Sequence, residues 1–209
     1  LNLSKALKEA NYIILSPGVS LNQSKNKKQL IRFRNKIITD IDLFYLFHKD
    51  FKSIFVTGTN GKSTTCKIIN HILKKNKIKT LLGGNIGTPI LSLNPKKNTY
   101  LIIEASSFQL AYSKFIKPDY ALLLNITNDH IDWHGSMKNY TDSKFKIFKN
   151  QKQNHYSILN EDLKSQYKKR KLSGKLIIPK FYLYKKFKAK IENKYLNLKI
   201  NDENMSFVY

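Results

Sequence analysis

Apolar residues in this chain come mostly in short runs that stop at a glycine, an asparagine or a glutamate. Ile54 to Thr57 runs into Gly58, and Thr80 to Leu82 runs into Gly83-Gly84-Asn85-Ile86-Gly87. Tyr100 to Ile103 stops at Glu104, and Tyr120 to Leu124 stops at Asn125. Near-continuous runs of this kind suit parallel strands covered on both faces. Between them the period changes to that of a helix. Ile68, Ile69, Ile72 and Leu73 share one face of a predicted helix from Thr64 to Lys74. Ser136 caps a second predicted helix running to about Lys149. This alternation over residues 51–150 predicts an α/β fold with a doubly wound, mostly parallel sheet. Ligands of such sheets sit at the carboxyl ends of the strands.

The flanking stretches read differently. Tyr12 to Leu15 is apolar and precedes the turn Ser16-Pro17-Gly18; Asp40 then caps a short helix through Ile41, Leu43, Phe44 and Phe47. Residues 1–50 look like the tail of an α/β unit that starts upstream, and the chain begins at Leu1 rather than Met. Residues 151–209 are nearly free of glycine. There Tyr195, Asn197 and Lys199 alternate with Leu196, Leu198 and Ile200, which predicts a small antiparallel β extension toward the C-terminus. A chain of 209 residues holds one large core, or one domain and part of another.

Composition narrows the partners. No apolar run approaches the roughly 20 residues that span a bilayer, and no signal-peptide pattern opens the chain, so no membrane partner is expected. One cysteine, Cys66, excludes an internal disulfide and suits a reducing, cytoplasmic setting. The net charge of +24 points toward polyanions, but only three of the 38 basic residues are arginine. The remainder of the chain is heavy in Ile, Asn, Phe and Tyr, which share A/T-rich codons with lysine. Genome composition therefore accounts for the charge, and no specific nucleic-acid partner is expected. Nonspecific adhesion to polyanions at low salt is.

The stretch Ser53 to Thr65, SIFVTGTNGKSTT, carries the clearest chemistry. It reads as a strand, a glycine-bounded turn and a helix start, so Gly58, Thr59, Asn60, Gly61, Lys62, Ser63 and Thr64 form a candidate phosphate-binding loop. Glycines let backbone N–H groups approach an anion, Lys62 adds a point charge, and the hydroxyl of Ser63 or Thr64 suits Mg²⁺. The loop is two residues shorter than the general phosphate-loop pattern. Glu104, just past a neighbouring strand, is placed to hold Mg²⁺ directly or through water. Asn125 to Asp132, NITNDHID, packs Asp129, His130 and Asp132 into one turn. His130 is the histidine at a strand's carboxyl end among acids; His48, His71, His134 and His155 read as structural or surface residues. Lys144 shares an apolar helix face with Tyr140, Ile147 and Phe148, and Lys146 points elsewhere. An inward lysine is costly unless paired or modified. Periodicity alone reads it as a snorkelling side chain.

The motifs GTNGKST, GGNIG, EASSFQL, LNITNDHID and NYTDSKFKIF, in that order, resemble the central domain of the Mur ligases, which build peptidoglycan precursors. SSFQL after Glu104 is similar to the D-glutamate-adding branch of that family. SPGV at Ser16 to Val19 and TDIDLF at Thr39 to Phe44 resemble the end of that branch's first domain. The resemblance implies residues 1–50 as the end of a substrate domain and 51–209 as a C-terminally truncated ATP-binding domain. It implies an ATP- and Mg²⁺-dependent ligase joining D-glutamate to UDP-N-acetylmuramoyl-L-alanine through an acyl phosphate. Lys62, His130 and Lys144 match catalytic positions, with Lys144 carbamylated. Ser63 or Thr64, Glu104, His130 and Lys144 match metal positions, and Asn85 and Ser106 match substrate contacts. The family's third domain, which completes its sites, has no counterpart here, so the chain alone is expected to be inactive. Folylpolyglutamate synthases share GTNGK, and a non-catalytic nucleotide-binding module is the remaining alternative.

Overall fold

The computed structural model describes residues 2–21, 23–179, 188–192, 195–200 and 203–208. Residues up to Ile178 form one compact unit. Helix α1 (Leu3–Glu9) is capped by the Asn2 side chain and leads to strand β1 (Ile13–Ile14). Helix α2 (Lys27–Arg32) follows, then strand β2 (Ile37–Ile38), which pairs in parallel with β1. Helix α3 (Asp40–Phe47) starts one residue earlier than a cap at Asp40 requires. Its N-cap is Thr39, which exchanges hydrogen bonds with Asp42 in a capping box.

The central sheet is built from β3 (Lys52–Thr57), β4 (Thr80–Gly84), β5 (Tyr100–Glu104), β6 (Tyr120–Leu123), β7 (Tyr156–Leu159) and β8 (Lys175–Ile177). Their order is β4-β5-β3-β6-β7-β8, and every pairing is parallel. The connections run through α4 (Lys62–Lys75), α5 (Ser107–Tyr112), α6 (Ile131–His134), α7 (Met137–Phe145) and α8 (Lys164–Lys169). The expected doubly wound sheet is present and extends further: β7 and β8 carry the parallel pattern past residue 150. A continuous core covers one face through Phe55, Leu101, Ile103, Leu123, Phe145 and Phe148. A second cluster, with Val56, Cys66 and Ile102, lies under α4.

On α4 the apolar face is narrower than its sequence suggests. Ile69 and Leu73 pack on the core, whereas Ile68 and Ile72 are about half exposed. On α3, Ile41 and Phe44 are buried but Phe47 is exposed. The helix after Ser136 ends at Phe145 and tightens to a 3₁₀ turn over Lys146–Phe148. Its predicted cap is confirmed, since Ser136 Oγ accepts the Asn139 N–H at 3.1 Å.

The second unit runs from Pro179. Within it β9 (Lys188–Glu192), β10 (Tyr195–Ile200) and β11 (Glu203–Val208) form an antiparallel sheet with β10 in the middle. This is the predicted antiparallel extension; the burial of its alternating side chains lies outside the described residues. No helix among the described residues is long and apolar enough to cross a membrane.

Candidate phosphate-loop site

Strands β3, β5 and β6 lie side by side, so the segments leaving their carboxyl ends meet. From β3 comes the loop Gly58–Gly61, which turns directly into α4. Gly61 has φ of +82°, a left-handed conformation that favours glycine at the helix start. The first turn of α4 leaves its N–H groups without intrahelical partners, at the positive end of the helix dipole. The segment after β6 braces the loop. Asn125 accepts the Asn60 N–H at 2.9 Å and donates to the Asn60 carbonyl at 3.1 Å. Thr59 N–H donates to the Asn125 carbonyl at 3.0 Å, and Thr127 N–H donates to Thr59 Oγ1 at 3.0 Å.

Two ammonium groups converge on this loop. Lys62 Nζ donates to the carbonyls of Gly58 at 3.0 Å and Thr59 at 2.8 Å. Lys144 Nζ donates to the same Gly58 carbonyl at 2.7 Å. Lys144 is 2% exposed and lies 4.7 Å from the centre of the Tyr140 ring. It does not snorkel. Burial, and then the Lys62 charge, push its pKa down to about 7. A large fraction of this lysine is therefore the neutral amine near pH 7, and an anion in the loop relieves the crowding of the two cations. Thr57 Oγ1, at the base of the loop, is buried with no hydrogen-bond partner among the described residues.

Glu104 is buried at the end of β5. Ser63 Oγ donates to its Oε2 at 2.6 Å, and Asn85 Nδ2 donates to its Oε1 at 3.0 Å. The approach of Asn85 depends on Gly84, which has φ of +100° and no room for a Cβ beside the Glu104 carbonyl. Thr64 is exposed, so Ser63 is the hydroxyl that the fold brings to Glu104. This hard oxygen pair beside the loop fits Mg²⁺, which binds through one or two protein oxygens and keeps its waters and phosphates. Among the described residues no three His, Cys, Asp or Glu side chains cluster as a metal site.

His130 opens α6 with φ of +51°, uncommon for a residue with a side chain. Its Nε2 lies 3.3 Å from Asp129 Oδ2, and its ring packs 4.8 Å from Phe108. A cavity of about 100 Å³ joins Gly58, Lys62, Asn85, Ser106, His130 and Lys144. With Thr59, which also lines it, seven of the predicted site residues thus share one space. Asp132 does not line this cavity; its backbone carbonyl accepts Gln23 Nε2 at 2.9 Å. Ser106 is engaged as the N-cap of α5 in a capping box with Gln109. Lys146 also points away, to the Ala111 carbonyl.

Sequence reasoning missed Tyr140 as more than an apolar neighbour. Its hydroxyl bonds Thr59 Oγ1 at 2.9 Å, so it holds the loop while its ring backs Lys144. The signal was present in the four-residue spacing from Lys144. The same reasoning read His134 only as a structural or surface residue.

A doubly wound α/β domain with a glycine-bounded loop between β3 and α4, and a buried lysine against that loop, defines the class of protein. Residues 56–208 match the family model described as the Mur ligase middle domain, and the chain belongs to that family. It is 43% identical over 150 residues to the UDP-N-acetylmuramoylalanine–D-glutamate ligase of Rickettsia bellii (strain RML369-C), covering 72% of this chain and 33% of the relative. It is 48% identical over 140 residues to the ligase of the same name from Wolbachia pipientis wMel, covering 66% of this chain and 27% of the relative. The chain thus spans about a third of the length of these relatives. Its fold matches the crystal structure of MurF ligase from Thermotoga maritima in complex with ADP, with a TM-score of 0.53 at 19% identity over 97% of this chain and 56% of that one.

Proposed function

We propose that this chain is the ATP-binding part of a ligase that joins D-glutamate to UDP-N-acetylmuramoyl-L-alanine. Residues 1–50 are the end of a preceding substrate domain and 51–209 the central domain. The observation that carries this reading is the convergence of Lys62 and Lys144 on one carbonyl, in a chain 43% and 48% identical to ligases of that name.

The loop N–H groups and Lys62 hold the ATP phosphates, with Lys62 turning from the loop carbonyls to the β/γ-phosphate oxygens. Ser63, with Glu104, would hold one Mg²⁺, and His130 and Lys144 would hold a second. For that role Lys144 is carbamylated. Its neutral amine attacks CO₂, an N–C bond forms, and a proton leaves, so a buried cation becomes an anionic oxygen ligand. Bound Mg²⁺ supplies charge stabilisation to the transferring phosphoryl group. Asn85 and Ser106 orient the muramoyl-alanine substrate so that its free carboxylate faces the γ-phosphate. A carboxylate oxygen attacks the γ-phosphorus and ADP leaves, giving an acyl phosphate. The D-glutamate amine then attacks the acyl carbon, phosphate leaves, and the amide remains after loss of a proton.

Phosphate release by a protein spanning the whole length of the relatives tests this assignment. Release is expected only with MgATP, UDP-N-acetylmuramoyl-L-alanine and D-glutamate together. Turnover with a folate and L-glutamate instead overturns it.

A further inference from the structure

His134 lies outside the cavity of the phosphate loop, yet it is 3% exposed and bridges two of the elements that build that site. Its Nε2 is 3.0 Å from Ser107 Oγ, at the first residue of α5 and directly after Ser106. Its Nδ1 is 3.4 Å from Ser143 Oγ, one residue before Lys144 on α7. Its own carbonyl accepts Asn139 Nδ2 at 2.9 Å, a second tie to α7. The ring is stacked 5.7 Å from Phe108 and edge-on 5.2 Å from Tyr140, the residue that backs Lys144.

The protons in this bridge have one consistent arrangement. Ser143 Oγ donates to the Asn139 carbonyl at 2.7 Å, which uses its only hydrogen. The contact to Ser143 therefore needs a hydrogen on Nδ1. In the neutral imidazole that hydrogen leaves Nε2 with a free lone pair. Nε2 is then an acceptor, and Ser107 donates to it. A ring fixed this way is directional: it reads α5 with a lone pair and α7 with an N–H.

We propose that His134 is a positioning residue of the phosphate-loop site, holding the start of α5 against the last turn of α7 through one ring nitrogen each. Lys144 and Ser106 are then kept in register by a side chain that touches neither. The inference rests on the ligase reading for its kinetic consequence, but not for the state of the ring.

Two measurements test it. In ¹⁵N-histidine NMR of this chain at pH 7, His134 is expected to carry a proton on Nδ1; an unprotonated Nδ1 overturns the bridge. In the ligase of full relative length, Ser107→Ala and Ser143→Ala each delete one leg without opening a large cavity. Each is expected to lower kcat by about 3- to 10-fold, the loss of roughly one hydrogen bond. KM for MgATP should stay within about twofold. His134→Ala should lower kcat further, and the double serine variant should lose no more than His134→Ala does. Unchanged kcat in folded serine variants leaves His134 as packing only. If the parent protein shows no ligase turnover, the ligase reading fails and the NMR result alone decides the bridge.

Discussion

The two ends of the central sheet both bury polar groups, but they settle them in opposite ways. At the amino end, Asp119 Oδ2 accepts the Ser53 N–H at 2.8 Å and Ser53 Oγ at 2.9 Å, while Tyr45 hydroxyl and Ser53 Oγ are 3.1 Å apart. Each group has its partner, and the arrangement is closed. At the carboxyl end two ammonium groups share the Gly58 carbonyl, Thr57 Oγ1 has no partner among the described residues, and His130 is held at positive φ. The amino end also borders the larger cavity, about 660 Å³ against about 100 Å³. Volume alone therefore points to the wrong end. Unbalanced charge and local strain mark the working end of a fold better than empty space does.

The sharpest way to break this contrast is at Lys144. In a ligase of full relative length, Lys144→Ala is expected to lower turnover by at least about 100-fold, the scale on which preorganised charge acts. Short carboxylic acids added to the assay should partly restore it by standing in for the proposed carbamate. Near-normal turnover makes the buried lysine a packing residue and the two ends equivalent. A change at the opposite end should separate stability from binding. Asp119→Ala leaves buried Ser53 without its acceptor and should cost about 1–3 kcal/mol in denaturant unfolding. Its MgATP affinity should stay within about twofold; a large loss of affinity would show that the amino end also serves the site.

A smaller effect concerns pH. The folded state lowers the Lys144 pKa from its ordinary 10.5 to about 7, so between those values the unfolded chain binds more protons. Stability should therefore rise with pH across that window. Lys146, pushed down to about 8 by burial, acts in the same direction. Lys144→Met should flatten the rise without abolishing it, as read from unfolding midpoints at pH 7 and pH 10. An unchanged slope would mean that folding does not lower the Lys144 pKa.

Much of this was legible in the sequence because parallel strands advertise themselves as apolar runs that stop at functional residues. Gly58, Glu104 and Asn125 each sit where a run ends, so the three segments of the site could be found before their strands were known to be neighbours. The inward direction of Lys144 followed from its spacing to Tyr140 and Phe148. What it reaches did not, because the Gly58 carbonyl is 86 positions away. The continuation of the parallel sheet through β7 and β8 was hidden because these strands are short and only partly apolar. His134 was hidden for a different reason. Its partners are two serines on separate helices, and no local pattern distinguishes a bridging histidine from a surface one. On α4, periodicity gave the right axis but too wide a face, since the sheet covers Ile69 and Leu73 and leaves Ile68 and Ile72 outside.

The central claim is that the charge left unsettled at the carboxyl end is there for the phosphates of MgATP. Titration of a fluorescent ATP analogue into the wild type and Lys62→Ala, each with and without Mg²⁺, tests it most directly. The account predicts Mg²⁺-dependent binding that weakens about 10- to 100-fold in Lys62→Ala, the worth of about one charged hydrogen-bonding group. Equal affinity of the two proteins, or binding that ignores Mg²⁺ and fades only with salt, would contradict it.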